Sequence, residues 1–137
     1  MRKPDFVIGD KGDPYLLRWW IIPRNKRFNI YLHKILRSDD DRALHDHPWW
    51  NVSIILRGSY IELMPRGEHR IRAAGDIVFR KATALHRLIS LGEPCWTLFI
   101  TGPRVREWGF ACPQGFVVWH KFVAKDDKGQ IGKGCDQ

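Results

Sequence analysis

The sequence predicts an all-β fold, a compact sandwich or barrel of short strands, and three observations point there. Segments rich in β-branched and aromatic residues recur at short intervals, each closed by a turn signal. No stretch sustains the 3.6-residue apolar period of a long helix. Hydrophobic residues make up 44% and aromatics 12% of 137 residues, enough for one real core and too little chain for two.

The first strand candidate, residues 15–22, stops at Pro23-Arg24-Asn25. In the next, 28–36, alternation puts Tyr31, His33 and Ile35 on one face. Residues 50–56 run into Arg57-Gly58-Ser59, and 60–64 into Pro65-Arg66-Gly67. Ala74-Gly75-Asp76 opens 77–79, and 86–90 ends before Gly92-Glu93-Pro94. Residues 95–100 stop at Gly102-Pro103, and 116–123 form the last candidate. Short helical turns are expected near 4–9 or 104–107. Closing about eight strands into a barrel hides their edges and leaves an interior lined by alternate residues. The chain 1–137 thus reads as a single domain, with its core over about 15–123 and a flexible tail over 125–137, which is Gly-, Lys- and Asp-rich.

Composition excludes several classes. The apolar runs are far too short to span a bilayer, and no secretory signal follows Met1, so a cytoplasmic protein without membrane contact is expected. The net charge of +8 is spread along the chain rather than blocked, which fits solvated surface or an anionic ligand. Nucleic acid is disfavoured as a partner, because no aromatic-basic motif of the kinds that read RNA or single strands is present. Cys95, Cys112 and Cys135 are odd in number and lack CxxC spacing, so free thiols are expected rather than a disulfide framework.

The strongest chemical signal is His45-Asp46-His47. In extended chain, residues i and i+2 face the same way, so both imidazoles are presented together while Asp46 points oppositely. Two neutral imidazoles at that spacing chelate one transition metal. His-x-His is weak evidence alone in a chain with six His, and its weight comes from its setting.

That setting carries a resemblance. His45-x-His47-x3-Asn51-x6-Gly58 is similar to the first motif of the cupins, G-x5-H-x-H-x3/4-E-x6-G. Gly75-x5-Lys81-x-Thr83-x2-His86-x3-Ser90 is similar to the second, G-x5-P-x-G-x2-H-x3-N. The departures are Asp39 for the first Gly, Asn51 for Glu, Lys81 and Thr83 for Pro and Gly, and Ser90 for Asn. The chain resembles small single-domain phage-encoded and bacterial cupins. The resemblance implies a double-stranded β-helix, the jelly-roll barrel, and a homodimer as the family's common assembly. It implies His45, His47 and His86 as metal ligands, with Asn51 as a fourth ligand or a supporting partner. Such a three-histidine site resembles that of the thiol dioxygenases, which makes Fe2+ the first expectation, with Zn2+, Ni2+ and Mn2+ as alternatives.

Without a carboxylate ligand the ion keeps its full charge, which favours a small anionic substrate. Arg57, on the face alternation gives to Asn51, and Arg42, just upstream, are candidates to clamp that anion, and His33 to line the cavity beside it. The expected function is a metal-dependent, dioxygenase-like enzyme. The alternatives are a non-catalytic small-ligand-binding cupin and a sugar isomerase or epimerase.

Overall fold

The computed structural model describes residues 2–10, 12–38, 43–125 and 132–135. Twelve strands lie among them: β1 (Phe6–Asp10), β2 (Asp13–Trp20), β3 (Asn29–Ile35), β4 (Leu44–His45), β5 (Asn51–Arg57), β6 (Ser59–Leu63), β7 (His69–Ala73), β8 (Ile77–Arg80), β9 (Arg87–Ser90), β10 (Cys95–Thr101), β11 (Gly109–Cys112) and β12 (Gly115–Val118). One helical turn, α1 (Trp119–Phe122), follows.

The strands form two layers of antiparallel sheet. The larger sheet runs β1-β2-β3-β10-β5-β8. The other layer consists of β7-β6-β9 and β12-β11-β4, joined by a single antiparallel bridge between His45 and His86. Period-two alternation explains the inner face: in β3 and β10 every second residue is buried, including Tyr31, His33 and Ile35 on β3 and Cys95, Thr97 and Phe99 on β10. The core packs Leu16, Ile35 and Ile55 of the large sheet against Tyr60 and Leu88 of the opposite layer. A second cluster, Ala43, Phe110, Cys112, Val117 and Phe122, closes the end of the sandwich near β4. This is the layered antiparallel arrangement that the strand pattern predicts, and the jelly roll that the resemblance implies.

Three local expectations are corrected. The segment around 4–9 forms the edge strand β1 rather than a helical turn, because Phe6, Val7 and Ile8 pair with Arg18, Leu17 and Leu16 of β2. Residues 104–107 form no helix; the helical turn lies instead at Trp119–Phe122, inside the segment expected to be strand. Pairing with β11 ends at Val118, and the turn that follows brings Phe122 onto Phe110, ring centroids 3.6 Å apart.

The cysteines also differ from expectation. Cys112 and Cys135 form a disulfide, and only Cys95 is a free, buried thiol. Sequence spacing alone could not place Cys135 beside β11, since the two lie 23 residues apart. Residues 126–131 and 136–137 of the expected flexible tail lie outside the described residues. In the described part of that tail, the backbone N–H groups of Gly132 and Gly134 donate to the Phe122 carbonyl at 2.9 and 3.1 Å. No helix among the described residues is long and apolar enough to cross a membrane.

Candidate metal centre

The three histidines meet because the two small sheets of one layer pair at them. His45 and His86 exchange both backbone hydrogen bonds, each 2.9 Å, and the His47 N–H donates to the Ala82 carbonyl at 3.0 Å. The main chain therefore fixes all three side-chain origins before any ligand is considered. His45 and His47 point the same way, as the alternation requires. Asp46 points away, its carboxylate accepting from the Gly109 N–H at 2.8 Å and from Arg106. Ring centroids are 5.2 Å apart for His45 and His47, 4.8 Å for His45 and His86, and 5.1 Å for His47 and His86. One candidate ligating nitrogen from each ring lies within 4.8 Å of the others.

His86 is oriented from behind. Its Nδ1 lies 2.6 Å from Oε2 of Glu62, a carboxylate only 2% exposed. An ionised carboxylate only accepts, so the imidazole proton sits on Nδ1 and the Nε2 lone pair is left for the centre. Glu62 also accepts from Arg80 Nε at 2.5 Å and from Arg72 Nε at 2.8 Å. Burial alone would raise the Glu62 pKa, but the bonds from His86 and Arg80 outweigh it and hold the group well below the usual carboxylate range.

The imidazoles of His86 and His47 are neutral at ordinary pH. Burial pushes His86 down to about 3, helped by His45 and Arg80 and opposed by Glu62. Burial, then His86, His45 and Arg80, holds His47 well below the usual histidine value. Neutral imidazole is the form that binds a metal. His47 Nδ1 is moreover buried without a hydrogen-bond partner among the described residues. Three imidazole nitrogen donors brought this close together fit a borderline divalent transition ion.

The group opens into a cavity of about 420 Å³. Trp49, Phe99, Trp108 and Phe110 wall it near the histidines, and Ser53, Tyr60 and Thr97 supply hydroxyls. The Tyr60 pKa is raised by burial, against the pull of Arg80, so its hydroxyl stays protonated and able to donate.

The other candidate residues are dispersed. His33 lines the cavity, its ring stacked on Phe99 at 4.9 Å. Asn51 is fully buried but does not line it; its amide oxygen accepts from Arg80 at 3.1 Å. Arg57 is exposed at the end of β5, away from the cavity. The ladder explains why: β10 pairs Thr97 with Ile55 but Trp96 with Arg57, so Leu56 is an extra residue and the inward alternation ends at Ile55. Arg42 lies outside the described residues.

Glu62, Arg80 and Arg18 are the polar residues of this region that the sequence reading missed. Each shares a strand face with apolar neighbours: Glu62 with Tyr60, Arg80 with Val78, Arg18 with Leu16. A charge on an otherwise buried face was the signal that could have found them.

No family model matches the chain, and no curated protein matches it. Solved structures do match it. An uncharacterized conserved protein with a double-stranded β-helix domain from Klebsiella pneumoniae is 18% identical with a TM-score of 0.59, over 77% of this chain and 90% of that one. The DMSP lyase DddQ from Ruegeria pomeroyi is 19% identical with a TM-score of 0.59, over 74% of this chain; the match spans about half, 54%, of the lyase. The polyketide cyclase RemF from Streptomyces resistomycificus is 20% identical with a TM-score of 0.57, over 74% of this chain and 70% of that one. A cupin superfamily protein from Desulfitobacterium hafniense is also similar.

Proposed function

The chain has the cupin double-stranded β-helix fold, and from that premise we propose that it is a divalent-metal-dependent enzyme of the dioxygenase type acting on a small anionic metabolite. The observation that carries this reading is the convergence of three imidazoles, His45, His47 and His86, on an aromatic-walled cavity. Fe2+ is the first choice of ion, with Zn2+, Ni2+ and Mn2+ as alternatives. A bound ion would supply Lewis acidity and, for iron, the redox capacity that O2 chemistry needs.

The chain's own residues do the remainder. Glu62 holds the His86 tautomer, which keeps Nε2 directed at the centre. Trp49, Trp108 and Phe110 exclude bulk water, strengthening every polar contact inside. Tyr60, held protonated, offers a hydrogen bond to an oxygen that gains negative charge. With no carboxylate among the three donors, the centre favours a ligand that brings its own negative charge.

Untagged protein loaded with Fe2+ and screened against small thiols and carboxylic acids in an oxygen electrode tests the reading. Substrate-dependent O2 uptake, lost in His47→Ala, is expected. Substrate consumption without O2 uptake would move the reaction to non-redox chemistry of the kinds named for the fold neighbours, a lyase and a cyclase. Tight ligand binding without turnover would make it a binding module.

We place the protein in the cytoplasm as part of the same reading, and Cys112 and Cys135 test that placement. The disulfide between them is of the kind that oxidising compartments keep and stands against this placement, since reducing compartments hold such a pair as thiols. Both cysteines alkylated by iodoacetamide in intact cells is the expected result, and a protected pair would point to an oxidising compartment.

A further inference from the structure

We infer that Arg18 anchors the acidic group of the cavity's ligand, and that this ligand is a carboxylate whose flat, apolar body lies along Phe99 between Arg18 and the three histidines. The inference deepens the proposed function and rests on the same cavity.

Arginines on the cavity wall differ in what neutralises them. Arg80 is bonded to Glu62, and Arg104 pairs with Glu107 at 2.9 Å. Arg24 is exposed, over the Trp20 ring. Arg18 is placed inside by the register of three strands: Phe6 of β1 and His33 of β3 face it on either side. Its Nε donates to His33 Nε2 at 2.9 Å, and no carboxylate pairs with it among the described residues. The guanidinium packs 4.4 Å over the Tyr31 ring and 6.0 Å from the Phe6 ring. Its two terminal amino groups have no hydrogen-bond partner among the described residues, and together they form the edge that grips a carboxylate with two bonds.

The cost of this arrangement points to a ligand. Arg18 is half-buried, and withdrawing a guanidinium even partly from water without a counter-charge is unfavourable; a neutral imidazole supplies none. Burial lowers the Arg18 pKa to about 10, with a further push from Arg24, so the group is still a cation at neutral pH. Because arginine only donates, His33 Nε2 must carry the lone pair, which leaves the proton on Nδ1. Burial and the neighbouring Arg18 hold the His33 pKa well below the usual value, consistent with that neutral form. His33 is therefore a positioning residue that aims the guanidinium.

The path from this cation to the histidines is aromatic. The Phe99 ring lies 4.9 Å from His33 and 6.0 Å from His47. Trp49 lies 5.6 Å from Phe99 and stacks on His47 at 5.3 Å. A ligand that reaches from Arg18 toward the histidines runs over ring faces, which favour an unsaturated or aromatic body over a polyhydroxylated one.

Calorimetric titration with trans-cinnamate and with its uncharged amide tests the inference, on protein stripped with a chelator and again on zinc-loaded protein. The stripped wild type should bind the acid and not the amide. Arg18→Gln should weaken acid binding by about 10- to 100-fold, the loss expected for a charge-assisted pair. Arg18→Lys should recover part of it, and Arg57→Gln should bind as wild type does. Circular dichroism of Arg18→Lys matching wild type guards against misfolding. Equal affinity for acid and amide, unchanged binding in Arg18→Gln, or no binding of cinnamate by folded protein would overturn the inference. The stripped-protein arm does not depend on the metal, so a failure to take up zinc with acid binding intact would sink the metal reading alone.

Discussion

Two arginines face the same cavity and meet opposite fates. Arg80, on β8, is 5% exposed and bonds to Glu62, Asn51, Ser53 and Tyr60, so its donors are consumed by the protein. Arg18, on β2, is held at Nε by a neutral histidine and by two rings, with no counter-ion among the described residues. The difference separates a charge that builds the scaffold from one left available to a ligand. It divides the cavity into a histidine side, whose supports are satisfied internally, and a β2–β3 side that awaits negative charge.

The comparison breaks most visibly if Arg80 is removed. Arg80→Met strips Glu62 of a buried partner and should cost about 3–5 kcal/mol in urea unfolding, the typical loss for one half of a buried pair. A change of only a few tenths would show that the network does not act as a scaffold. Glu62→Gln probes the same side through the metal. It keeps the shape but loses the carboxylate behind His86, and metal affinity should fall about 10- to 100-fold in competition with a chelator. Equal affinity would mean that His86 needs no support.

The β2–β3 side is sharpened by pH. His33 has a folded pKa below its unfolded value, so its contribution is complete above about pH 6.5 and is lost as pH falls below that value, by up to about 1.4 kcal/mol per pH unit. Urea unfolding between pH 7 and 5 should therefore be less steep in pH for His33→Gln than for wild type. Identical slopes would place no proton-sensitive group at His33. The smallest effect is expected from Arg18→Met. Replacing an uncompensated cation by an apolar side chain should leave stability within about 1 kcal/mol, or raise it. A loss as large as that of Arg80→Met would reveal a structural partner and erase the distinction.

The histidines were legible in the sequence because their relation is local: i and i+2 in extended chain, and one later position set by motif spacing. Their supports were not. Glu62 reaches His86 only because β6 pairs with β9, and Arg80 reaches Glu62 across the two layers; neither contact has a sequence period. Arg57 looked inward by strict alternation, and one extra residue at Leu56 turned it out. Arg18 was passed over because its segment read simply as strand, although Leu16 and Trp20 on the same face mark it as an inward charge. The strands β4, β7 and β11 escaped notice through shortness or charge, and β1 through its single β-branched pair at Val7 and Ile8. The disulfide was hidden because its second cysteine sits in a segment that looks like a frayed end.

Elemental analysis of untagged protein beside His47→Ala tests the metal centre most directly. One divalent ion per chain in wild type, lost in a folded His47→Ala, is the expected result. No metal in either protein after reconstitution with Fe2+, Zn2+, Ni2+ or Mn2+ would contradict it, and would leave three histidines lining a cavity that binds its ligand through Arg18 alone.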